Sequence, residues 1–404
     1  MNPFSLLIKP ASADCNLRCE YCFYIDHLNQ QNTIPRMSEE TLEIMIKKYM
    51  STDQNNHFTF GWQGGEPMLM GLKFFQKAVE LQVKYAPPGA TISNGLQTNG
   101  TLISEDWARF FAEYRFLLGV SLDGPDYFHD HYRKTIGMTP THKNVLRGIE
   151  ELRKNGVEFN ILCLVNNLNV KSASKIYRYF VNHNFFYHQY IPCVEYGENG
   201  KLKPFSVTGR QWGSFLTELF NQWIKQDVNR ISIRLFDSIL EYLVYGNYNV
   251  CHMQENCAQY FVIEHDGSVY PCDFFVNNEL LLGNIKTHSW EQLIDSKIFQ
   301  DFGTQKINWN FKCNLCPYLS LCHGDCQKFR DTLQNESKQI STLCRGWKMF
   351  YTRTLTKFIS IAEEFKMKNR IDNPTPFKLK RSGRNESCPC GSGKKYKNCC
   401  AKPS

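Results

Sequence analysis

Residues Cys15 to Tyr24 read CNLRCEYCFY and follow directly on the apolar run SLLIK at Ser5–Lys9. The pattern is Cys15-x3-Cys19-x2-Cys22, placed in a loop where three thiolates can converge. On a four-iron cluster, three thiolates leave one iron without a protein ligand, which is what a cofactor needs in order to bind through that iron. The competing reading is a structural zinc, but such a site closes its shell with four protein ligands, and three leave it open.

Outward from this loop, short β-rich runs alternate with amphipathic helical patterns. Strands are expected at 5–9, 58–62, 91–97, 116–122, 158–165 and 186–191, and helices at 39–50, 72–85, 105–114, 141–155 and 172–182. Asn155-Gly156 supplies a helix stop before the fifth strand. This spacing makes an α/β protein with a parallel sheet, either an incomplete barrel or a doubly wound sheet, and periodicity does not choose between them. Past the loop at 195–208 the alternation ends. A helix near 211–226, a run at 231–235, a cysteine-rich segment and a closing helix at 345–365 follow.

With 404 residues, 42% hydrophobic and 21% charged, the chain fits a globular protein of more than one domain. No uninterrupted apolar stretch reaches membrane-spanning length. The start, MNPFSLLIKPAS, does not read as a secretory signal, so a cytoplasmic location is expected. In a reducing compartment seventeen cysteines point to metal or cluster ligands. Only Cys163, inside the apolar run ILCLV, and Cys193 stand apart, and both read as packing. The net charge of +8 is concentrated from Lys366 onward, where eleven Lys/Arg oppose Asp372 and Glu386. The body is therefore near neutral and no nucleic-acid binder; the tail alone suits an acidic surface.

After the second expected strand comes Gly64-Gly65-Glu66-Pro67, where glycines let backbone approach closely and a carboxylate can balance an ammonium. CNLRCEYCFY together with GGEP resembles the radical S-adenosylmethionine (SAM) superfamily. The resemblance implies a partial (β/α)6 barrel, settling the choice left open above. It implies a SAM-cleaving [4Fe-4S] cluster on Cys15, Cys19 and Cys22, with Gly64, Gly65 and Glu66 at the methionyl amino group. Tyr24 would lie beside the adenine, Ser121 and Arg133 would contact ribose and carboxylate, and Val194 would touch the adenine. From the residues alone, Arg133 fits a solvated helix face equally, and Asp123 shapes the turn at Gly124-Pro125.

Eight further cysteines run Cys251-x5-Cys257-x14-Cys272, then Cys313-x2-Cys316-x5-Cys322-x3-Cys326, then Cys344. Eight thiolates make two four-cysteine sites, and ligand chemistry alone serves iron–sulfur and zinc about equally. GNI followed by the second group resembles the SPASM extension of peptide-modifying radical SAM enzymes, which carries two auxiliary [4Fe-4S] clusters. Strings spread up to about Phe365, among them WQGGEP, LQTNGTLI, VSLDGP, VEFNILCLVNN and DGSVYPCDFF, are similar to the anaerobic sulfatase-maturating enzymes. That likeness implies crossed ligand sets: Cys251, Cys257, Cys272 and Cys326 for one cluster, Cys313, Cys316, Cys322 and Cys344 for the other. Spacing alone would group Cys313, Cys316, Cys322 and Cys326. His323 and Asp325 depart from the residues usual there.

The same likeness implies oxidation of a cysteine or serine in a sulfatase to Cα-formylglycine without oxygen, a 5′-deoxyadenosyl radical removing a Cβ hydrogen. Asp273 would be the proton acceptor, and Gln97 and Asn99 would bind substrate backbone, unless Asn99-Gly100 merely builds a turn. The partners implied are a sulfatase polypeptide bearing a CxPxR or SxPxR motif and a reductant such as flavodoxin or ferredoxin. The alternative is another SPASM-type peptide modifier, forming a thioether or cross-link. A non-catalytic electron carrier or adaptor has no use for three cysteines beside GGEP.

Finally, Cys388-Pro-Cys390-x8-Cys399-Cys400 suits one tetrahedral zinc and resembles the SEC-C module, in which metal would supply most of the folding free energy. The expected organisation is a barrel at 1–230, an auxiliary-cluster domain with its closing helix at 231–365, a basic linker at 366–385 and a zinc module at 386–404. The lysines around that module suit docking to an acidic protein.

Overall fold

The computed structural model describes residues 3–24, 36–330, 340–372 and 383–401. Part of the expected basic linker, 373–382, and the last residues of the expected zinc module, 402–404, lie outside the described residues. Along the chain the strands are β1 (Ser5–Lys9), β2 (His57–Trp62), β3 (Thr91–Thr98), β4 (Leu117–Ser121), β5 (Phe159–Val165), β6 (Tyr187–Pro192), β7 (Ser232–Ile233), β8 (Tyr260–Glu264), β9 (Ser268–Tyr270) and β10 (Gly283–Asn284). The chain divides into two compact units: Met1–Leu162 with Cys257–Thr304, and Cys163–Asn256 with Gln305–Ser404.

In the first unit β1 to β5 pair in parallel in chain order, with Leu6 opposite Phe60, Phe60 opposite Asn94, Leu96 opposite Leu118 and Leu118 opposite Phe159. On its other side β1 pairs in parallel with β8, and β8, β9 and β10 continue as an antiparallel ribbon. Parallel neighbours need crossovers, supplied by helices Glu39–Met50, Leu72–Tyr85, Glu105–Glu113 and His142–Lys154. Their ends are set locally. Ser38 and Ser104 cap two of them by accepting from Thr41 N and Trp107 N, and acidic residues follow in each first turn. Gly156 takes φ +68° just past the fourth. An aromatic chain, Trp62 to Phe75 at 5.4 Å and Phe75 to Trp107 at 5.5 Å, packs these helices onto the sheet. Along the chain six strands, β1 to β6, alternate with helices, the order of a partial (β/α)6 barrel.

In the second unit β6 pairs in parallel with β7. The apolar run at 231–235 is strand only over Ser232–Ile233; Phe236, Ile239, Tyr242 and Leu243 then recur at helical spacing, so helix Arg234–Tyr245 takes over. The closing helix is longer than expected, Cys344–Asn369. It meets helix Gly209–Trp223 backbone to backbone, since a Cβ on Gly346 would stand 2.1 Å from the Gly209 carbonyl oxygen. Farther along, Phe220, Phe236 and Phe358 close the same core, with Phe220 and Phe358 ring centroids 4.7 Å apart. Among the described residues no helix is long and apolar enough to cross a membrane.

Candidate active site and cysteine sites

Most of the residues singled out in the first unit lie at the ends of β1, β2, β3 and β4 or in the loops that follow them, and Cys272 and Asp273 follow β9; the former is the end of a parallel barrel where side chains from different strands converge. Cys15, Cys19 and Cys22 occupy the loop after β1, Cys19 buried and the others half-buried. Burial, helped by Glu66, pushes the Cys15 thiol up to about 12, and burial pushes Cys19 up to about 11. Such thiols need a metal to become thiolates. The GGEP loop grips this one: Gly65 N donates to Ser12 O and Glu66 N to Asp14 O, both at 2.7 Å. A Cβ on Gly65 would stand 2.0 Å from the Asp14 carbonyl oxygen, and Gly64 has φ +119°. The close approach that the glycines provide is to the cysteine loop itself.

Glu66 is fully buried, and burial raises its carboxyl to about 7. Its oxygens accept from Asn99 N at 2.8 Å, Met68 N at 3.1 Å and the Thr98 hydroxyl at 2.9 Å, tying the loop after β2 to the end of β3. Asn99 is buried and braces the cysteine loop, with Nδ2 donating to Asn16 Oδ1 at 2.8 Å and Oδ1 accepting from the Thr101 hydroxyl at 2.7 Å. Gln97 is exposed and Ser121, at the end of β4, half-buried. Arg133 Nη1 donates to the Tyr21 hydroxyl at 3.1 Å, and Tyr21 in turn donates to Asp123. Arg133 Nε is buried with no hydrogen-bond partner. Its neighbours Tyr132 and Lys134 accept from Glu20 N and Arg18 N of the cysteine loop, and an unsatisfied guanidinium donor in that place suits a carboxylate.

Asp273 opens a short turn, Asp273–Phe275, directly after Cys272. Its Oδ1 accepts from the Tyr24 hydroxyl at 2.5 Å and faces Lys9 Nζ at 3.4 Å; its Oδ2 accepts from Gln63 Nε2 at 2.9 Å. Burial, and then Asp273, raise the Tyr24 phenol well above its ordinary range, which keeps it a donor. Lys9 is 2% exposed, pairs with Glu264 at 2.8 Å and lies 4.3 Å from the Tyr24 ring centre. Burial alone would raise the Glu264 carboxyl, but His265 and Lys9 outweigh it and hold it at about 2. Lys9, Tyr21 and Gln63 were not singled out from the sequence. Their signals were a lone cation ending an apolar strand, a tyrosine between two cysteines, and a glutamine joined to GGEP.

In the second unit Cys313, Cys316, Cys322 and Cys344 line one cavity of about 70 Å³, and Cys326 is not among its lining residues. Burial, with Asp325, pushes the Cys322 thiol well up, and burial takes Cys344 to about 11. Cys322 to Cys326 turns tightly, with His323, Gly324 and Asp325 all at positive φ. Asp325 anchors that turn by accepting from Ser341 Oγ at 2.6 Å and Trp347 Nε1 at 2.8 Å. His323 is no ligand here: Nδ1 lies against Met253 O and Nε2 is 3.2 Å from Glu255. Cys251 and Cys326 belong to this unit; Cys257 and Cys272 belong to the first. Val194 is buried at the end of β6, next to buried Cys193.

The ligand atoms of Cys388, Cys390, Cys399 and Cys400 all lie within 4.8 Å of one another, which among the described residues holds for this set alone. Tetrahedral zinc at a Zn–S distance of ~2.3 Å requires sulfurs ~3.8 Å apart. The tail set is near that spacing.

Fold and site together define the class of protein. Three family descriptions match along the chain: the radical SAM superfamily over residues 10–180, an iron–sulfur cluster-binding domain (SPASM) over 251–317, and the SEC-C motif over 384–402. It is a radical SAM oxidoreductase that binds SAM and carries a cysteine-rich auxiliary region. The cysteine-type anaerobic sulfatase-maturating enzyme of Clostridium perfringens is 39% identical over 372 residues, covering 91% of this chain and 100% of that one. The serine-type enzyme of Bacteroides thetaiotaomicron is 38% identical, covering 86% and 89%. A solved structure of anSMEcpe with bound AdoMet and the Cp18Cys peptide superposes with a TM-score of 0.84 at 39% identity, over 90% of this chain and 99% of that one. The chain belongs to the family of anaerobic sulfatase-maturating enzymes.

Proposed function

We propose that this enzyme oxidises a cysteine or serine side chain of a sulfatase polypeptide to Cα-formylglycine under anaerobic conditions. Family membership at this identity supports the reaction, and the observation that carries the mechanism is the Asp273 carboxylate with its three donors. When bound, SAM on the three-cysteine cluster supplies the 5′-deoxyadenosyl radical that removes the substrate Cβ hydrogen. Cys15, Cys19 and Cys22 hold that cluster, and Gly64, Gly65 and Glu66 shape the loop beside it. Arg133 and Ser121 bind SAM, Arg133 through its unpaired Nε. Val194 contacts the adenine. Tyr24 lies beside the adenine, and its hydroxyl also holds Asp273 by a 2.5 Å hydrogen bond.

Asp273 accepts the proton of the substrate thiol or hydroxyl. Tyr24, Gln63 and Lys9 orient the carboxylate and stabilise its charge in a site screened from water. Gln97 remains the candidate for substrate backbone, whereas Asn99 acts on the cysteine loop. Cys313, Cys316, Cys322 and Cys344 would hold one auxiliary [4Fe-4S] cluster and Cys251, Cys257, Cys272 and Cys326 another, which would supply an acceptor for the substrate electron. Cys388, Cys390, Cys399 and Cys400 would hold zinc. A flavodoxin or ferredoxin reduces the enzyme in the cytoplasm, and the basic tail docks on an acidic protein. The functional division is 1–230, 231–365, 366–385 and 386–404, as the motifs imply.

The test is anaerobic reconstitution with iron and sulfide, reduction, and incubation with a CxPxR or SxPxR peptide deuterated at Cβ. Deuterium in 5′-deoxyadenosine together with an aldehyde mass on the peptide is the expected result. A cross-linked or unchanged peptide refutes the reading.

A further inference from the structure

The tail has a seat within its own unit. Cys388 and Cys390 are 4% exposed and Cys400 8%, while Lys394, Lys395 and Lys397 on the same short segment are exposed. Tyr396 and Cys399 of the segment cover part of them. The three cysteines also pack against Met349, on the helix that begins with Cys344. Tyr318 is 4% exposed, lines the cavity of Cys313, Cys316, Cys322 and Cys344, and is fixed by a 2.8 Å hydrogen bond between its hydroxyl and that of Thr352 on that helix. Trp347 and Lys348, which directly precede Met349 on that helix, line the same cavity. The seat of the module and one wall of the cavity thus lie on a single turn of one helix.

We propose that the C-terminal four-cysteine module is a cap in cis over the Cys313–Cys316–Cys322–Cys344 site, seated on Met349 next to Trp347 and Lys348 of the cavity wall and held in shape by its own zinc. The module then has a structural role toward that site, and its lysines stay outward for any partner. The cap restricts entry of oxygen and small reagents to the cavity thiolates. Its effect on a cluster rests on the reading that those four cysteines hold one.

The experiment uses the full chain in three forms: wild type, Cys390→Ser/Cys400→Ser, which loses the zinc, and Met349→Glu, which keeps zinc but unseats the module. Iron-free, zinc-supplied protein is treated with iodoacetamide, and alkylation of Cys322 and Cys344 is followed by mass spectrometry. Both variants are expected to react severalfold faster than wild type, and in iron-loaded protein to lose iron–sulfur absorbance severalfold faster in air. Thermal unfolding shows whether Met349→Glu has lost its fold, in which case the zinc-free variant alone decides. Equal alkylation rates in wild type and the zinc-free variant overturn the cap. Protected thiols with an iron content unchanged by Cys322→Ser leave the cap standing and instead refute the cluster at this site.

Discussion

Gly65 lies against the backbone of Asp14 so closely that a Cβ would reach 2.0 Å from its carbonyl oxygen. The loop after β2 is thereby fixed to the loop that carries the cluster cysteines, one residue before Cys15. Gly65→Ala has no flexible neighbour to push aside, since the atoms met are backbone. It should cost about 3 kcal/mol, the upper end for overpacking, and lower the iron bound at the three-cysteine loop. Wild-type iron content and melting temperature in this variant would contradict the clasp.

Removing the base while leaving the radical machinery untouched is the cleanest probe of Asp273. Asp273→Asn should reduce aldehyde formation by about 10²–10⁴-fold, while SAM cleavage to 5′-deoxyadenosine continues. The ratio of the two products by liquid chromatography is the readout, and a parallel fall in both would move Asp273 from proton transfer to binding.

Lys9 and Glu264 form a buried pair at 2.8 Å. Lys9→Met strands the Glu264 charge and should destabilise by about 3–5 kcal/mol. Lys9→Met/Glu264→Gln should recover most of that loss in denaturant unfolding but not the activity, because Lys9 also faces Asp273.

His188 sets a pH dependence. Burial lowers it from 6.5 to about 4, with its Nε2 3.0 Å from Phe185 O. Above 6.5 the ring is neutral in folded and unfolded chains alike, and its contribution is fully present. As pH falls from 6.5 towards 4, only the unfolded chain takes up the proton, so stability is lost across that window, by about 3 kcal/mol. His188→Leu should flatten that part of the pH–stability curve; an unchanged slope would assign it elsewhere.

Much of the fold was legible because its signals are local. Helix Glu39–Met50 begins where Ser38 caps it, and helix Leu72–Tyr85 and strand β1 fall on the limits their patterns indicate. Helix Arg234–Tyr245 was missed because its opening residues continue an extended apolar run and no side chain caps its start. At the site, the cysteines and GGEP were legible from spacing. The direction of their contacts was not: Asn99 faces Asn16 rather than open space.

Read by itself, the chain specified its cysteine loop, its β–α alternation and its tail metal set, all matters of residues close in sequence whose geometry follows from backbone reach. Only the tertiary structure decided which side chains meet. Tyr21 finds Asp123 across 102 positions, Gln63 finds Asp273 across 210, and Tyr24 finds the same carboxylate across 249. The two Asp273 pairs arise from the parallel register of β1, β2 and β8 and the Tyr21–Asp123 pair from the loops after β1 and β4, and no local periodicity encodes a contact between strands so far apart in the chain.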